Sequence, residues 1–143
     1  MKKLIFFFAF LFCYSVFGQE QDEIIGIWWS EEKDGRVEIF KKGDKYYGRI
    51  DFIEENRNPD GSQPLRDLNN PNEALRNRVL LGTIILKDLK WTGKRWEGGE
   101  IYDSKSGNTY SCFAKMQDDG TLFFKGYIGI SLIGRSTTWT RHS

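Results

Sequence analysis

The sequence predicts an all-β domain in which about eight antiparallel strands follow one another as a meander and close into a barrel. Alanine is scarce, and Gly, Thr, Tyr and Trp are frequent, a composition that favours strands over helices. Segments of alternating apolar and polar residues, separated by turn residues, run along almost the whole chain. An open meander would leave two exposed edges, and closure into a barrel removes both.

The first 18 residues have the pattern of an export signal. Lys2 and Lys3 precede an uncharged apolar stretch from Leu4 to Tyr14, and Gly18 is a small residue at the expected cleavage point. The stretch is shorter than the roughly 20 residues of a membrane-spanning helix. We therefore expect residues 1–18 to be cleaved and residues 19–143 to form one domain, periplasmic or secreted, without a transmembrane segment.

The charge and the cysteine content of the mature chain exclude further classes. Residues 1–18 carry two of the 21 basic residues and none of the 20 acidic ones, so the mature formal charge is 19 − 20 = −1. Without a basic block there is no electrostatic footprint for nucleic acid. Cys112 remains as a single cysteine, which excludes an internal disulfide, and its place on a strand face predicts a buried, unreactive thiol.

The first half of the domain predicts three strands. The first runs from Ile27 to Ser30, and the second includes residues 37–39 and ends before a turn at residues 42–44. In the third strand, period-two spacing places four residues on one face: Tyr46, Gly48, Ile50 and Phe52.

A long polar loop from Asn56 to Arg78 then interrupts the alternation. It holds all three prolines and is rich in Asn, Asp and Arg, and loops of this length are often functional or disordered. Asn72 predicts the cap of a short helix over Glu73 to Asn77. The following apolar run, Val79 to Leu86, predicts a strand buried on both faces rather than a core helix, because it is short and rich in β-branched residues.

The second half predicts strands joined by short turns. They run from Lys94 to Asp103, Asn108 to Gln117, Thr121 to Ile128 and Leu132 to Arg141. Alternation predicts one shared face for Tyr110, Cys112, Ala114 and Met116, and another for Leu122, Phe124, Gly126 and Ile128. Strand glycines at 48, 98, 99, 126 and 129 would allow the bends that closure requires.

Few residues fit known catalytic or metal chemistry. His142 is the one histidine and lies near the chain end, which disfavours a nucleophilic triad and zinc. Glu97 and Glu100 are expected to point to opposite faces, so no glycosidase pair is evident. Oxygen ligands for calcium are offered by Asp67, Asn69, Asn70, Asn72 and Glu73. Their spacing differs from an EF-hand loop and ordinary turns explain them better, so no catalytic residue, metal or cofactor is assigned.

The candidates for ligand binding are arginines, tyrosines and their polar neighbours. If residues 76–78 form a strand, Arg76 and Arg78 share a face and could clamp a carboxylate or phosphate. They could equally bridge Asp67 and tie the loop to the barrel rim, the commoner use of such clusters. Tyrosines facing the interior would hydrogen-bond a ligand or pack in the core. The candidate set is Asp67, Asn70, Arg76, Arg78, Tyr102, Asp103 and Tyr110.

The two ends of the domain carry a recognisable pair of motifs. Gly26 and Trp28 open the first strand, and Trp139 and Arg141 close the last one. This arrangement resembles the lipocalin and fatty-acid-binding superfamily, in which a Gly-x-Trp motif begins the barrel and a basic residue of the final strand lies across the Trp ring. The resemblance implies a lipocalin-like, calycin-type barrel in which Arg141 lies within about 6 Å of the Trp28 ring.

A longer match covers most of the mature chain. The matching residues are Gly26, Trp28 and Asp67 together with 47–50, 70–71, 74–78, 81–82, 96–103, 106–107, 109–111, 126–127 and 138–141. Together they are similar to a bacterial family catalogued as domain of unknown function 2147, except that Ser104 stands where a Pro is expected. The resemblance implies an exported lipocalin-type barrel without an established activity, so it assigns no catalytic residues.

Three functions stay open on the sequence. The first is a non-enzymatic exported barrel that binds a small molecule or an envelope component, with the polar loop near its rim. The second is a protein-interaction or structural envelope module with a solid core, which binds through the loop or a strand edge. The third is a hydrolase of polysaccharide or peptidoglycan. A barrel interior without a cavity would contradict the small-molecule form of the first.

Overall fold

Eight strands follow one another around a closed barrel in the computed structural model, which describes residues 20–127 and 134–143. Each strand pairs antiparallel with the next, and the last pairs with the first, so the predicted closed meander is confirmed. The strands are β1 Gly26–Trp29, β2 Gly35–Lys42, β3 Lys45–Ile53, β4 Ile84–Trp91, β5 Trp96–Asp103, β6 Asn108–Met116, β7 Leu122–Tyr127 and β8 Gly134–Arg141. The predicted export segment, Ile128 and Gly129 lie outside the described residues.

Alternation correctly predicts the inner faces of β6 and β7. Tyr110, Cys112 and Ala114 are buried on β6, and Leu122 and Phe124 are buried on β7. These side chains point into the barrel because successive residues of a strand face opposite sides of the sheet.

The predicted shared face of β3 is wrong beyond Ile50. Val37 pairs with Ile50, whereas the preceding Arg36 pairs with Phe52, so Asp51 is an extra residue in β3. Such a bulge reverses the side-chain alternation after it. Phe52 therefore lies on the outer surface, 37% exposed, with its ring edge-on to Trp29.

The prediction that Glu97 and Glu100 point to opposite faces is wrong, because a second bulge lies between them. The β5–β6 register shifts between Trp96 and Gly99, and Gly98 adopts φ 72°, a conformation that favours glycine. Trp96 and Gly99 are both buried. Glu97 and Glu100, which follow them, therefore both lie on the outer wall.

The segment predicted as a buried strand, Val79 to Leu86, is also different. Val79 makes a single bridge with Arg66, residues 80–83 form a turn, and β4 begins only at Ile84. Leu80 is 3% exposed, but Leu81 and Ile84 are about two-fifths exposed. The apolar run thus anchors the loop through Leu80 instead of forming a strand buried on both faces.

The predicted helix in the loop begins where expected but is shorter. A single 3₁₀ turn covers Glu73–Leu75, and the side chain of Asn72 accepts a hydrogen bond from the Ala74 amide as its cap. Residues 76–78 continue as turns. No helix in the described part of the chain is long and apolar enough to cross a membrane.

Candidate functional site

One end of the barrel is filled by large side chains, and we call it the closed end. Trp28, Tyr46, Leu89 and Trp96 are all at most 1% exposed there. Residues 20–25 cross this end and satisfy its polar atoms. The Trp28 indole donates to the Ile24 carbonyl at 2.9 Å, the Trp96 indole donates to the Gln21 carbonyl, and the Tyr46 hydroxyl donates to Asp22. This end of the barrel is therefore covered by residues 20–25 and packed with aromatic rings.

The predicted contact between the first and last strands is confirmed. The Arg141 guanidinium carbon lies 4.2 Å from the centre of the Trp28 ring, well inside the range of a cation–π contact. Arg141 also donates to the backbone carbonyls of Ile25 and Glu23, just before Gly26. Trp139 packs inside the barrel, with its ring centre 4.2 Å from that of Phe124. These contacts fasten β8 to the start of β1.

The opposite end contains a cavity of about 500 Å³, which we call the mouth cavity. Apolar Ile101, Cys112 and Phe124 line part of it, and Thr137 faces it from β8. Its opening is charged and includes Glu32, Asp34, Asp103, Lys105 and Arg135. The loops β1–β2, β3–β4 and β5–β6 all leave the barrel at this end. The cavity opens between the β1–β2 loop and the β5–β6 turn.

Tyr102, Asp103 and Tyr110, three of the predicted residues, line this cavity together with Arg135. Arg135 lies opposite Gly126 in the β7–β8 register, on the inner face of the barrel, and its guanidinium is 3.6 Å from the Asp103 carboxylate. The nearby Arg135 guanidinium lowers the pKa of the Tyr110 phenol. The opening therefore presents a cation, a carboxylate and a phenol side by side.

An ion pair spans the mouth between two opposite loops. Lys105 lies in the β5–β6 turn, and its ammonium is 2.8 Å from Asp34 and 3.7 Å from Glu32 in the β1–β2 loop. Strands β1 and β5 are four positions apart in a ring of eight, so the pair crosses the opening. Contact with Lys105 lowers the pKa of the Asp34 carboxyl and raises the pKa of the lysine.

A cluster of four predicted residues joins the long loop to the barrel: three lie in the loop, and Tyr102 lies on β5. Asp67 is completely buried, and its carboxylate accepts hydrogen bonds from the Tyr102 hydroxyl at 2.6 Å, the Asn70 amide at 2.8 Å and Arg78 at 2.8 Å. Burial, and then the hydrogen bond to Asp67, raises the pKa of Tyr102 to about 12. These groups satisfy one another, so their arrangement ties the loop to β5.

The two loop arginines do not form a clamp. Residues 76–78 are turns rather than a strand, so the two side chains do not share a strand face. Arg78 contacts Asp67, whereas Arg76 donates to the backbone carbonyl of Asn70 at 2.7 Å and approaches Glu73 at 3.7 Å. The bridge from Arg78 to Asp67 is the structural alternative that the sequence offered.

A second set of contacts fixes the loop to the β5–β6 turn. The Asn69 amide donates to the carbonyls of Ser104 and Lys105 at 3.2 and 3.1 Å. Gly107 permits this approach, because a Cβ atom there would lie 2.1 Å from the Asn69 carbonyl oxygen. The loop, the turn and the ion pair across the mouth are thus connected through residues 104–107.

Sequence reasoning missed the charged residues of the mouth: Glu32, Asp34, Lys105 and Arg135. Alternation could have placed Arg135 on the inner face, because it shares its face of β8 with Thr137 and Trp139 at period-two spacing. The pairing of Lys105 with Asp34 could not be predicted in this way, since it joins loops that are distant in sequence.

Cys112 is buried, as predicted, at 5% exposure. Burial raises the pKa of its thiol to about 12. In the described part of the chain, no group of three or more His, Cys, Asp or Glu side chains is arranged to hold a metal ion.

The eight-stranded barrel, with Arg141 lying across Trp28 beside the closed end, defines a lipocalin-like protein. Residues 26–141 match the family described as "Uncharacterized protein conserved in bacteria (DUF2147)", and the chain belongs to this family.

A solved structure has the same fold. It is described as protein HP1028 from the human pathogen Helicobacter pylori, belonging to the lipocalin family. The two sequences are 31% identical, the TM-score is 0.70, and the match covers 84% of this chain and 83% of the Helicobacter chain. No curated protein matches the sequence.

Proposed function

We propose that this protein is an exported, non-enzymatic lipocalin-like barrel that binds a small molecule in the mouth cavity. The observation that carries the proposal is the cavity itself, because about 500 Å³ lies within the range of about 300–1,000 Å³ for ligand sites. It supports small-molecule binding over a module with a solid core. The lining combines apolar Ile101 and Phe124 with polar Tyr110 and Arg135, a mixture suited to an amphipathic molecule.

This proposal divides the predicted binding residues into two groups. Tyr110 and Asp103 would contact the ligand at the opening, together with Arg135. Asp67, Asn70, Arg78 and the Tyr102 hydroxyl would act indirectly, because they bond to one another and hold the loop beside the mouth. Arg76 has no role in ligand contact.

Two adjacent threonines of β8 provide the test. Thr137 lies opposite Phe124 and faces the mouth cavity, whereas Thr138 lies opposite Phe123 and faces outward. Thr137→Trp should fill the cavity, and Thr138→Trp should leave it open. The probe is 8-anilinonaphthalene-1-sulfonate, an amphipathic anion whose fluorescence increases in apolar sites, titrated into the wild type and both variants.

We expect the wild type and Thr138→Trp to bind the probe with a saturable one-site curve, and Thr137→Trp to lose at least tenfold in affinity. Equal binding by the two variants would show that the probe lies elsewhere and would overturn the proposal. Thermal unfolding of both variants checks that each is folded, so that loss of binding reports on the cavity.

Export is the second part of the proposal, and it is supported by the charge and apolar pattern of residues 1–18. Expression of the full chain in a bacterial host should yield a processed protein in the envelope or the medium that begins near Gln19. Intact-mass analysis of the fractions is the measurement. Full-length protein confined to the cytoplasm would contradict export without affecting the ligand proposal.

A further inference from the structure

The outer wall formed by β5, β6 and β7 contains a groove of about 290 Å³ that the cavity proposal does not use. We call it the outer groove and define it by Arg95, Glu97, Glu100, Ser111, Phe113 and Tyr127. The volume is at the lower end of the range for ligand sites, about 300 Å³. The groove is open and shallow, which suits a ligand that extends along the surface.

The glycine bulge in β5 creates this groove. Without the extra residue, Glu97 and Glu100 would face opposite sides of the sheet. The register shift next to Gly98 puts both carboxylates on the outer wall, and Gly98 itself adds no side chain between them. The two carboxylates therefore flank a stretch of glycine backbone that has no side chains.

The far side of the groove follows from the strand register. Glu100 pairs with Ser111, and Ser111 pairs with Tyr127, so the three residues form one row across three strands. Neighbouring strands are about 4.8 Å apart, so the backbones of Glu100 and Tyr127 are about 10 Å apart. The small Ser111 side chain leaves a gap between the Glu100 and Tyr127 side chains.

Phe113, Tyr127 and Arg95 supply an aromatic surface and hydrogen-bond donors. Phe113 and Tyr127 lie with ring centres 6.2 Å apart and planes tilted by 33°, so they form a slightly bent platform. The Arg95 guanidinium lies 3.9 Å above the Phe113 ring and is also paired with Glu97. Its remaining N–H groups are available to a ligand, since the side chain is 39% exposed.

Charge decides between ligand classes. Arg95 neutralises Glu97 and already occupies the face of Phe113, and Lys87 lies opposite Glu100 in the β4–β5 register. Lys125, opposite Phe113 in the β6–β7 register, adds one positive charge beside the groove. The groove thus has no excess negative charge to attract a free cation, and a single excess positive charge beside it for an anion. Carboxylates accept hydrogen bonds, a guanidinium donates them and a hydroxyl does both, a mixture that matches the hydroxyl groups of a neutral sugar. The C–H face of a sugar ring is apolar and packs on an aromatic ring.

We propose that the outer groove binds a neutral oligosaccharide, with one sugar ring on Tyr127 and its hydroxyl groups bonded to Glu100, Ser111 and Arg95. This site is separate in function from the mouth cavity and does not depend on what the barrel encloses. It would attach the barrel to a glycan surface while the mouth stays accessible.

The test is an NMR titration of the folded protein with chitotetraose, cellotetraose and maltotetraose as separate probes. At least one of these sugars should shift the amide signals of Gly98, Ser111 and Phe113 in a saturable way. Glu100→Gln should weaken this binding by about tenfold, the value of one hydrogen bond to a charged group. Tyr127→Leu should weaken it by about the same factor, because it removes the ring on which the sugar packs.

The opposite wall provides a matched control. Phe40 and Tyr47 stack with ring centres 5.9 Å apart, Arg49 lies 4.5 Å above Phe40, and Glu38 pairs with Arg49. The chemistry is the same as in the outer groove, but β2 and β3 pair without a register shift from Val37 to Lys42, so no stretch of glycine backbone opens beside Glu38. Glu38→Gln and Tyr47→Leu should therefore leave binding unchanged.

Three results would overturn the proposal. The first is the absence of saturable shifts with all three sugars at millimolar concentrations. The second is equal weakening by the control substitutions. The third is binding of spermidine at these amides without binding of any sugar, which would identify the groove as a site for organic cations.

Discussion

At the scale of single residues, Arg141 shows how one side chain can serve several contacts. Its guanidinium covers the fully buried Trp28 and also holds two carbonyls of the segment that crosses the closed end. A planar guanidinium can do both, because its N–H groups point outward in the ring plane while its face lies on the indole. The resemblance to lipocalins led us to expect this contact, and the contact explains why such a motif would join the two ends of a chain.

We predict that Arg141→Met lowers the free energy of unfolding by about 2 kcal/mol, the combined value of a cation–π contact and charged hydrogen bonds. Urea unfolding followed by tryptophan fluorescence is the measurement. Arg49→Met is the control, because Arg49 makes a similar cation–π contact and an ion pair on an exposed strand. That change should cost less than about 1 kcal/mol. Equal effects of the two substitutions would show that Arg141 has no special role in closure.

At the scale of elements, the long loop is an ordered part of the barrel. A buried carboxylate is costly unless its hydrogen bonds are satisfied, and Asp67 receives them from Asn70, Arg78 and Tyr102. Asn69 adds bonds to the β5–β6 turn. The loop therefore has defined contacts with β5 and its turn, although its composition alone is equally compatible with disorder.

Asp67→Asn should release this loop. The substitution removes the counter-charge of Arg78 and one acceptor of the network, and we expect a loss of about 2 kcal/mol, less than for a fully buried pair because Arg78 is partly exposed. Limited proteolysis should cut the variant within residues 54–83 faster than the wild type.

Asp60→Asn is the matched control for the loop. Asp60 lies in the same loop but is exposed and bonds only to Ser62 among the described residues. Its substitution should change neither unfolding nor proteolysis measurably. If Asp67→Asn behaves in the same way, the buried carboxylate does not hold the loop.

Two bulges change which side chains face outward. The extra residue Asp51 turns Phe52 outward, and the extra residue beside Gly98 turns Glu97 and Glu100 to the same wall. Period-two reasoning is correct for β6 and β7, where no register shift occurs. The outer groove therefore depends on a local irregularity that alternation cannot show.

At the scale of the whole molecule, buried groups that stay neutral are distributed through the barrel. Burial raises the pKa of Cys112 to about 12, and burial together with Asp67 raises the pKa of Tyr102 to about 12. Burial and the hydrogen bond to Asp22 raise the pKa of Tyr46 as well. All three groups ionise more readily in the unfolded chain than in the folded one.

We predict that stability falls steeply in alkali. A group whose folded pKa is raised contributes its full stability below its unfolded pKa and loses it as the pH rises towards the folded value. The loss should begin near pH 9.0 for Cys112 and near pH 10.0 for Tyr102, and continue to about pH 12. Urea unfolding across this range is the measurement. Cys112→Ala should remove the part that begins near pH 9.0, and a flat profile would contradict the prediction.

The sequence alone determined the class of fold and the inner faces of the regular strands. Alternation, turn residues and the motifs at Trp28 and Arg141 are local signals, and each acts through neighbours along one strand or through a known pairing of the barrel ends. The sequence also identified Asp67, Asn70, Arg78 and Tyr102 as polar candidates, and the last three all contact the Asp67 carboxylate.

Only the tertiary structure decided what those residues do. Asp67 and Arg78 satisfy each other, while the opening of the barrel is made by Lys105, Asp34 and Arg135, which lie on different loops and strands. Contacts of this kind depend on barrel closure, which brings β1, β5 and β8 around one opening. Loop conformation and bulge positions follow from many weak contacts between distant segments, so no single stretch of sequence specifies them.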